Sequence, residues 1–415
     1  MAHGTMVGTY GKPQTKKSRK VLVALSGGVD SAVAAALLKN QGLDVVGLHM
    51  QLWDPDRQAM GCKFTTRCCQ VADRDRAKGI CQKLEIPFVS VDGRELFEEE
   101  VLDSIVHEAI LLRTPNACFR CNERVRIPLL MKKADELGCV TVATGHYAQL
   151  LKDVASGQMR LAQAADRSMD QSHLLFGLTQ AQLGRMEFPV GGVPGAMVQK
   201  LAEELGVSMA KAHDASQSCF VKDPVYFQWL EQRVAISMRT PGMVRTPDGQ
   251  VIGEHFGALH HPVGEKANIP LATKDPKNFV VLELESQSQV LVVGPPEELK
   301  GYHCLIGRTN WIIPVSSHTE FPARASINGG HQVKCKVLLF GNRRAQVNFE
   351  ERIPRLSAGE AIVFYEESEL LGGGWIETVG RQPEVGSPLA AEESLAANPE
   401  HDPAKVQDVS ADLPS

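Results

Sequence analysis

No apolar run in the chain approaches the ~20 residues that a bilayer-crossing helix needs, so no membrane span or membrane partner is expected. The start carries no apolar core of a secretory leader, which predicts a cytoplasmic protein and reduced thiols rather than structural disulfides. Neither common phosphate loop is present: there is no Gly-Lys-Ser/Thr loop and no Gly-x-Gly-x-x-Gly. Internal repeats are absent too, which excludes solenoids and propellers. The net charge is only −5, and it hides basic and acidic ends. Global charge therefore neither selects nor excludes a nucleic-acid partner, which would need a local basic patch.

What is present is enough apolar sequence, 43%, to fill buried cores, and a length of 415 residues that predicts two or three domains. Residues 1–20 carry Lys12, Lys16, Lys17, Arg19 and Lys20 without an acid and read as a flexible basic tail. Residues 381–415 are rich in Ala, Pro, Glu and Ser; they bury too little to offset ordering and read as a disordered acidic tail. Within 21–222, strand-like runs at Val21–Leu25, Val45–Met50, Phe88–Val91 and Val140–Thr144 alternate with helical stretches at Ser31–Asn40 and Leu96–Leu112. Phe97, Val101, Ile105 and Ala109 make one buried stripe on the second helix. That alternation predicts an α/β domain, a parallel sheet with helices on both faces. Residues 223–295 read as a small β-rich domain and 296–380 as a β-barrel, from short runs such as Val280–Leu284, Val290–Val293, Lys334–Leu339, Ala345–Phe349 and Ala361–Tyr365.

The first chemical motif is Ser26-Gly27-Gly28-Val29-Asp30-Ser31, between the first strand and the first helix. A strand feeding a glycine turn and a helix start aims backbone N–H groups at one point, where the helix dipole favours an anion. Gly27 and Gly28 allow close approach of phosphate oxygens, Ser26 and Ser31 offer hydroxyls, and Asp30 could cap the helix or hold a magnesium ion. A plain capped turn is the competing interpretation of the glycines alone. Met50, at the end of the second strand, and Gly145, after the fourth, share the carboxyl edge where open α/β sheets bind ligands.

The ten cysteines divide by surroundings. Cys118-Phe119-Arg120-Cys121 lies among Arg113, Arg120, Arg124, Arg126, Lys132 and Lys133 with Glu123 as the one nearby acid. Neighbouring cations raise the thiolate fraction and attract phosphate backbones. Half of a zinc site, with partners among Cys62, Cys68 and Cys69, is the alternative, but adjacent cysteines suit a tetrahedral ion poorly. Cys81, Cys139, Cys304 and Cys335 sit in apolar patterns and read as inert core thiols. Cys219 stands in the polar stretch Ser216-Gln217-Ser218-Cys219-Phe220.

In this order the motifs resemble those of the tRNA-specific 2-thiouridylases, members of the PP-loop ATP pyrophosphatases. The resemblance rests on the phosphate loop with Ala24 and Leu25, on Arg113-Thr114-Pro115-Asn116 leading to Cys121-Asn122, and on Ala143-Thr144-Gly145-His146-Tyr147. It continues through Asp170-Gln171-Ser172, Phe188-Pro189-Val190-Gly191, Ser218-Cys219-Phe220 and Gly372-Gly373-Gly374-Trp375-Ile376-Glu377. It spans about residues 21–378. The resemblance implies that ATP and Mg2+ bind at Ala24–Ser31, Met50 and Gly145, and that the C2 oxygen of a tRNA wobble uridine is adenylated. Cys219 would carry a persulfide from a sulfur-relay protein, and Cys121 would release that sulfur by forming a disulfide. Asn116, Ala117, Cys118, His146, Met169, Asp170, Gln171, Ile327 and Asn328 match positions that face tRNA.

Departures from the pattern matter. Asn116-Ala117-Cys118 stands where many relatives have Asn-Pro-Asp, so a thiol replaces a carboxylate. Cys118, Cys121 and Cys219 could instead hold a [4Fe–4S] cluster whose open iron delivers hydrosulfide. Met169 occupies a usual Lys position, and Ile327-Asn328 replace an Arg-Tyr pair, which weakens the expected contacts to RNA; Arg343-Arg344 could compensate, or be a solvated hairpin tip. Two rival functions remain: a PP-loop amidating or synthetase-type enzyme, which would tolerate loss of the three cysteines, and a catalytically weakened tRNA- or metal-binding protein.

Overall fold

The computed structural model describes residues 19–54, 59–62, 64, 71–111, 113–207, 221, 223–264, 266, 269, 271–272, 278–285, 288–316, 319–354 and 356–380. Both expected tails, apart from Arg19 and Lys20, together with Cys68, Cys69 and Cys219, lie outside the described residues.

The first domain is built on five parallel strands in the order β3-β2-β1-β4-β7: β1 Lys20–Ala24, β2 Asp44–Gln51, β3 Phe88–Asp92, β4 Thr141–Ala143 and β7 Met186–Glu187. Strand β1 explains why both faces need cover. Val21 and Val23 pack under helices α1 (Val29–Asn40) and α2 (Val71–Lys83), whereas Leu22 packs with Ile127, Leu130 and Ala134 of the 117–136 helix. Alternating side chains of a central parallel strand thus go to opposite layers. The 94–110 helix buries Phe97, Val101, Ile105 and Ala109, the stripe read from the sequence. Each fully buried side chain of this size contributes roughly 1.5–3 kcal/mol of apolar transfer.

The central domain is a four-stranded mixed sheet, β10-β11-β8-β9, from β8 Gly242–Arg245, β9 Val251–His255, β10 Val280–Glu285 and β11 Val290–Gly294. The C-terminal strands β12 Gly301–Trp311, β13 Glu320–Ile327, β14 Gln332–Leu339, β15 Ala345–Ile353, β16 Ala361–Glu366 and β17 Glu369–Gly380 pair in the order β12-β15-β14-β13-β16-β17. Pairing of β17 with β12 closes them into an antiparallel barrel.

One feature crosses the expected boundaries. Strands β5 (Ala148–Lys152) and β6 (Met159–Gln163) form a hairpin in the first domain, and β6 pairs with β17 of the barrel. A single apolar cluster accordingly joins Leu161, Leu174 and Phe176 to Val363, Tyr365, Leu370 and Trp375. The first domain and the barrel share a core.

Candidate active site

The phosphate loop has the expected strand–loop–helix setting. Gly28 precedes α1, and no side chain caps that helix. Ser31 Oγ organises the turn: it donates to the Gly28 carbonyl at 3.1 Å, accepts from Ser26 N–H at 3.2 Å and lies 3.2 Å from Ser26 Oγ. Gly27 adopts φ +76°, and a Cβ there would lie 2.6 Å from the Asp73 carbonyl of α2. Both conformation and space therefore demand glycine. Asp30 does not cap α1. It accepts a 2.7 Å hydrogen bond from Tyr147 Oη, and burial raises its carboxyl above the ordinary value while that bond opposes the rise.

Tyr147 belongs to the turn after β4, which is pressed onto the same helix start. A Cβ on Gly145 would lie 2.7 Å from Ser31 N and 2.8 Å from the Asp30 carbonyl carbon. Thr144 Oγ1 is 2.8 Å from His146 Nδ1. Burial, with lesser effects from Arg126 and His173, pushes the His146 imidazole down to about 3, so it is neutral at physiological pH. His49, buried on β2 with Nδ1 2.9 Å from the Leu25 carbonyl, is likewise lowered, by burial first and then by Arg74 and Arg126 against the opposing Leu25 bond. Arg126 thus lies near two neutral imidazoles at the carboxyl edge of the sheet.

From this corner a chain of contacts runs to the cysteine helix. Tyr147 N donates to Gln171 Oε1 at 3.2 Å and Gln171 N donates to the Tyr147 carbonyl at 2.8 Å. Asp170 is occupied within its own turn, accepting from Ala164 N at 2.8 Å and Ser172 Oγ at 2.9 Å. Ser172 Oγ also meets Tyr365 Oη of the barrel at 3.0 Å. His173 follows and lines a cavity of about 650 Å3.

That cavity lies where the three domains meet, and the phosphate loop is not part of its wall. Cys118, Asn116 and Arg113 line it from the first domain, Leu259 and His261 from the central domain, and Asn328 and Glu360 from the barrel. Cys118 and Cys121 begin the 117–136 helix, which widens into a π-turn over Cys121–Arg126. A second π-turn, Glu98–Leu102, packs beside it, and Arg120 Nε donates to the Glu100 carbonyl there at 3.0 Å. Widened turns of this kind are frequent at functional sites. The two thiols face different surroundings: Cys118 is half-buried on the cavity, and Cys121 is buried in a cluster with Leu52, Val125 and Trp229. Asn116, just ahead of them, donates through Nδ2 to the Gly359 carbonyl at 2.6 Å and the Thr114 carbonyl at 3.2 Å. The barrel therefore holds the start of the cysteine helix.

The sequence-derived tRNA positions distribute unevenly. Asn116, Cys118 and Asn328 line the cavity; Ala117 is buried; His146 and Gln171 are half-buried near the Ser26–Ser31 loop. Met169 packs on Val198 and its neighbours, and Ile327 packs on the barrel core. Asn328 is engaged with Glu360 Oε1 and the Ala361 N–H. Met50 packs between the two apolar clusters under the sheet edge. Cys219 lies outside the described residues, but Val221, two positions on, lines the cavity. Arg343 and Arg344 are not freely solvated: Arg343 Nε donates to the Thr309 carbonyl at 2.9 Å, and Arg344 pairs with Glu377 at 3.2 Å. Cys81, Cys139, Cys304 and Cys335 are buried, and burial raises all four thiols, Cys81 to about 11 and Cys335 to about 12. Among the described residues no three His, Cys, Asp or Glu side chains are placed to hold a metal ion.

The family profile described as tRNA methyl transferase HUP domain matches residues 19–223, and that described as aminomethyltransferase beta-barrel domain matches 302–376. The tRNA-specific 2-thiouridylase MnmA of Geotalea uraniireducens is 38% identical over 88% of this chain and 96% of its own length. The enzyme of the same description from Geobacter metallireducens is 38% identical over 88% of this chain and 98% of its own. The chain belongs to the tRNA-specific 2-thiouridylase family. A relative from Acidithiobacillus ferrooxidans, 35% identical over 86% of this chain and 98% of its own, carries the same description. Near-complete coverage of these family members includes the cysteine helix, the central domain and the barrel together. His49 and His173 escaped the sequence reading, and Arg126 was read there only as one of the cations around the cysteine pair. A histidine after Asp-Gln-Ser was visible, but nothing local marked it as a cavity residue.

Proposed function

We infer that the chain is an ATP-dependent tRNA-uridine 2-sulfurtransferase. ATP binds at the phosphate loop, and the C2 oxygen of the wobble uridine attacks the α-phosphorus with loss of pyrophosphate. Sulfur then attacks C2, the C2–O bond breaks, and AMP leaves with the oxygen. A urea-like carbonyl is a poor leaving site until adenylation makes its oxygen part of a good one. A single-stranded anticodon loop lets the base leave its stack at small cost.

The observation that carries this reading is the continuous link Asp30–Tyr147–Gln171, with Ser172 and His173 following, from the phosphate corner to the cavity of Cys118. An amidating synthetase has no use for Cys118, Cys121 and Cys219. In the sequence Cys219 stands two positions before Val221, which lines the cavity. Cys121 and Cys219 are the proposed sulfur-handling pair, with Cys118 beside them. Were Cys118, Cys121 and Cys219 to converge, they would suit a [4Fe–4S] cluster, which when bound would supply hydrosulfide. In that case Cys118 and Cys121, one helical turn apart, would be two of its ligands. The Ser26–Ser31 loop fits the triphosphate of ATP; Mg2+ would be held mainly by that triphosphate, because Asp30 is occupied by Tyr147.

The test is to purify the protein without oxygen and incubate it with tRNA, ATP and either sulfide or a persulfide donor protein. AMP and 2-thiouridine are expected, with loss of thiolation in Cys121→Ala and Cys219→Ala. Iron bound to active protein and lost in Cys118→Ala would assign the cluster route. Activity of iron-free protein with persulfide donor alone would assign the persulfide route. Full activity of the cysteine variants would overturn the reading.

A further inference from the structure

A nucleic-acid partner needs a local basic patch, and three arginines from separate stretches of chain are linked beside the cavity. Arg113 lines the cavity itself, and its backbone N–H donates to the Glu108 carbonyl at 2.8 Å. Glu108 in turn faces Arg308 of β12, with carboxylate and guanidinium 3.8 Å apart. The Arg308 guanidinium also lies 5.1 Å from the ring centre of Trp375, which meets Phe119 of the cavity wall edge-on, ring centroids 6.0 Å apart. The next residue, Thr309, ties in the turn between β14 and β15. Its N–H donates to the Arg343 carbonyl at 3.0 Å, and its own carbonyl accepts from Arg343 Nε at 2.9 Å. Arg113, Arg308 and Arg343 thus form a line of contacts from the cavity onto the barrel.

The backbone takes uncommon forms to place two of them. Arg308 sits at an irregularity of β12, between Gly307 and Asn310 in the pairing with β17, and has φ +49°. Arg343 has φ +58°. Left-handed backbone is rare outside glycine and a few short polar residues, and bulges at barrel rims re-aim side chains. Both arginines reach solvent: the Arg308 side chain is 49% exposed, and Arg343 is exposed. Arg113 and Arg343 make no ion pair among the described residues, so Glu108 is the one acid paired along the line. Desolvation lowers the Arg308 guanidinium from its ordinary value; Glu108 and Glu123 oppose that, while Arg120 and Arg113 add to it. The line carries more positive charge than its acids neutralise, which an anion would relieve.

We propose that Arg113, Arg308 and Arg343 form a track for the sugar-phosphate backbone of the RNA strand whose base enters the cavity of Cys118. A base held in a cavity leaves its ribose and phosphates outside, and each further nucleotide adds one negative charge there. Cations set from the cavity outward match that chain of charge, and guanidinium forks match phosphate oxygens. Such contacts fix position and register without reading sequence. None of the three residues is among the positions matched above to tRNA-facing ones. Two that are, Ile327 and Asn328, are engaged within the barrel. The inference rests on the thiolation reading and names the face that holds the RNA while its base reacts.

The experiment measures the Kd of the full-length protein for an anticodon stem-loop RNA with uridine at the wobble position, by fluorescence anisotropy over a series of KCl concentrations. Arg308→Asn and Arg343→Asn remove charge with a residue that suits left-handed backbone, Arg113→Gln removes it beside the cavity, and Arg308→Lys and Arg343→Lys keep it. Arg185→Asn is the control, just before β7 at the amino edge of the sheet, where Arg185 pairs with Asp135. Thermal unfolding and ATP binding are measured alongside, and Arg343→Asn, in an exposed turn, decides should another variant fail to fold. Each neutral variant on the track is expected to weaken binding roughly threefold to tenfold at low salt and to flatten the slope of log affinity against log salt by about 0.7, one phosphate contact. The Lys variants should keep most of the slope, and Arg185→Asn should match wild type. Folded neutral variants with unchanged affinity and slope, or an equal loss in Arg185→Asn, overturn the track and leave thiolation intact. Variants that bind the stem-loop normally, but lose thiolation with a persulfide donor protein and not with sulfide, assign the face to an acidic protein and overturn its assignment to RNA. Wild type that binds no stem-loop overturns the thiolation reading and this inference with it.

Discussion

At the scale of single residues, the phosphate corner is held by contacts that leave little freedom. Gly145 touches the backbone of Ser31 and Asp30, and backbone cannot move aside as a side chain can. Gly145→Ala should destabilise the protein by about 1–3 kcal/mol through overpacking and abolish measurable ATP binding; calorimetry and nucleotide titration check both. Asp30 provides a pH-dependent test. A carboxyl raised in the folded state favours folding most below its unfolded value, ~4, and that contribution is lost as pH rises through the folded value. Asp30→Asn still accepts from Tyr147 and carries no charge to desolvate. Its gain in Tm over wild type should therefore be larger at pH 7 than at pH 4, and equal gains would contradict the assignment of burial as the dominant cause.

At the scale of elements, the cysteine helix is positioned from outside its own domain. Its first turn is anchored by Asn116 to the Gly359 carbonyl, and the adjacent Thr114 N–H donates to the Ala358 carbonyl at 3.1 Å. Asn116→Ala removes two bonds to carbonyls and should cost about 1–2 kcal/mol. It should also speed alkylation of Cys118 several-fold, as that turn opens more often. Cys335, whose thiol burial pushes up to about 12, serves as the internal control and should stay unmodified in native protein at pH 8. Mass spectrometry after timed alkylation reads both. Equal rates at Cys118 in variant and wild type would separate the thiol from the barrel anchor.

At the scale of the whole molecule, the shared core makes the first domain and the barrel one thermodynamic body. Strand β6 extends the barrel sheet, and Ser172 bonds Tyr365 across the junction. Unfolding of the two should appear as one calorimetric transition. Tyr365→Phe, which strips a buried hydroxyl from Ser172, should lower that transition as a unit by about 1–2 kcal/mol. Two separated melts, with only one displaced, would refute the coupling. The cavity has the same origin, because its wall takes residues from all three domains and exists only when they are docked.

The sequence by itself determined the elements whose signals are local. The parallel sheet, the stripe on the 94–110 helix and the phosphate loop follow from side-chain period and from a glycine turn between strand and helix. The inert status of Cys81, Cys139, Cys304 and Cys335 was also legible, since each sits in an apolar run. Tertiary structure alone decided three things: that β6 joins β17, that Asp30 serves Tyr147 rather than the helix end, and that His173 and Cys118 line one cavity. The reason is physical. Periodicity and turn chemistry act over a few residues, whereas hydrogen-bond partners and cavities arise from segments tens to hundreds of positions apart that meet only when the domains pack.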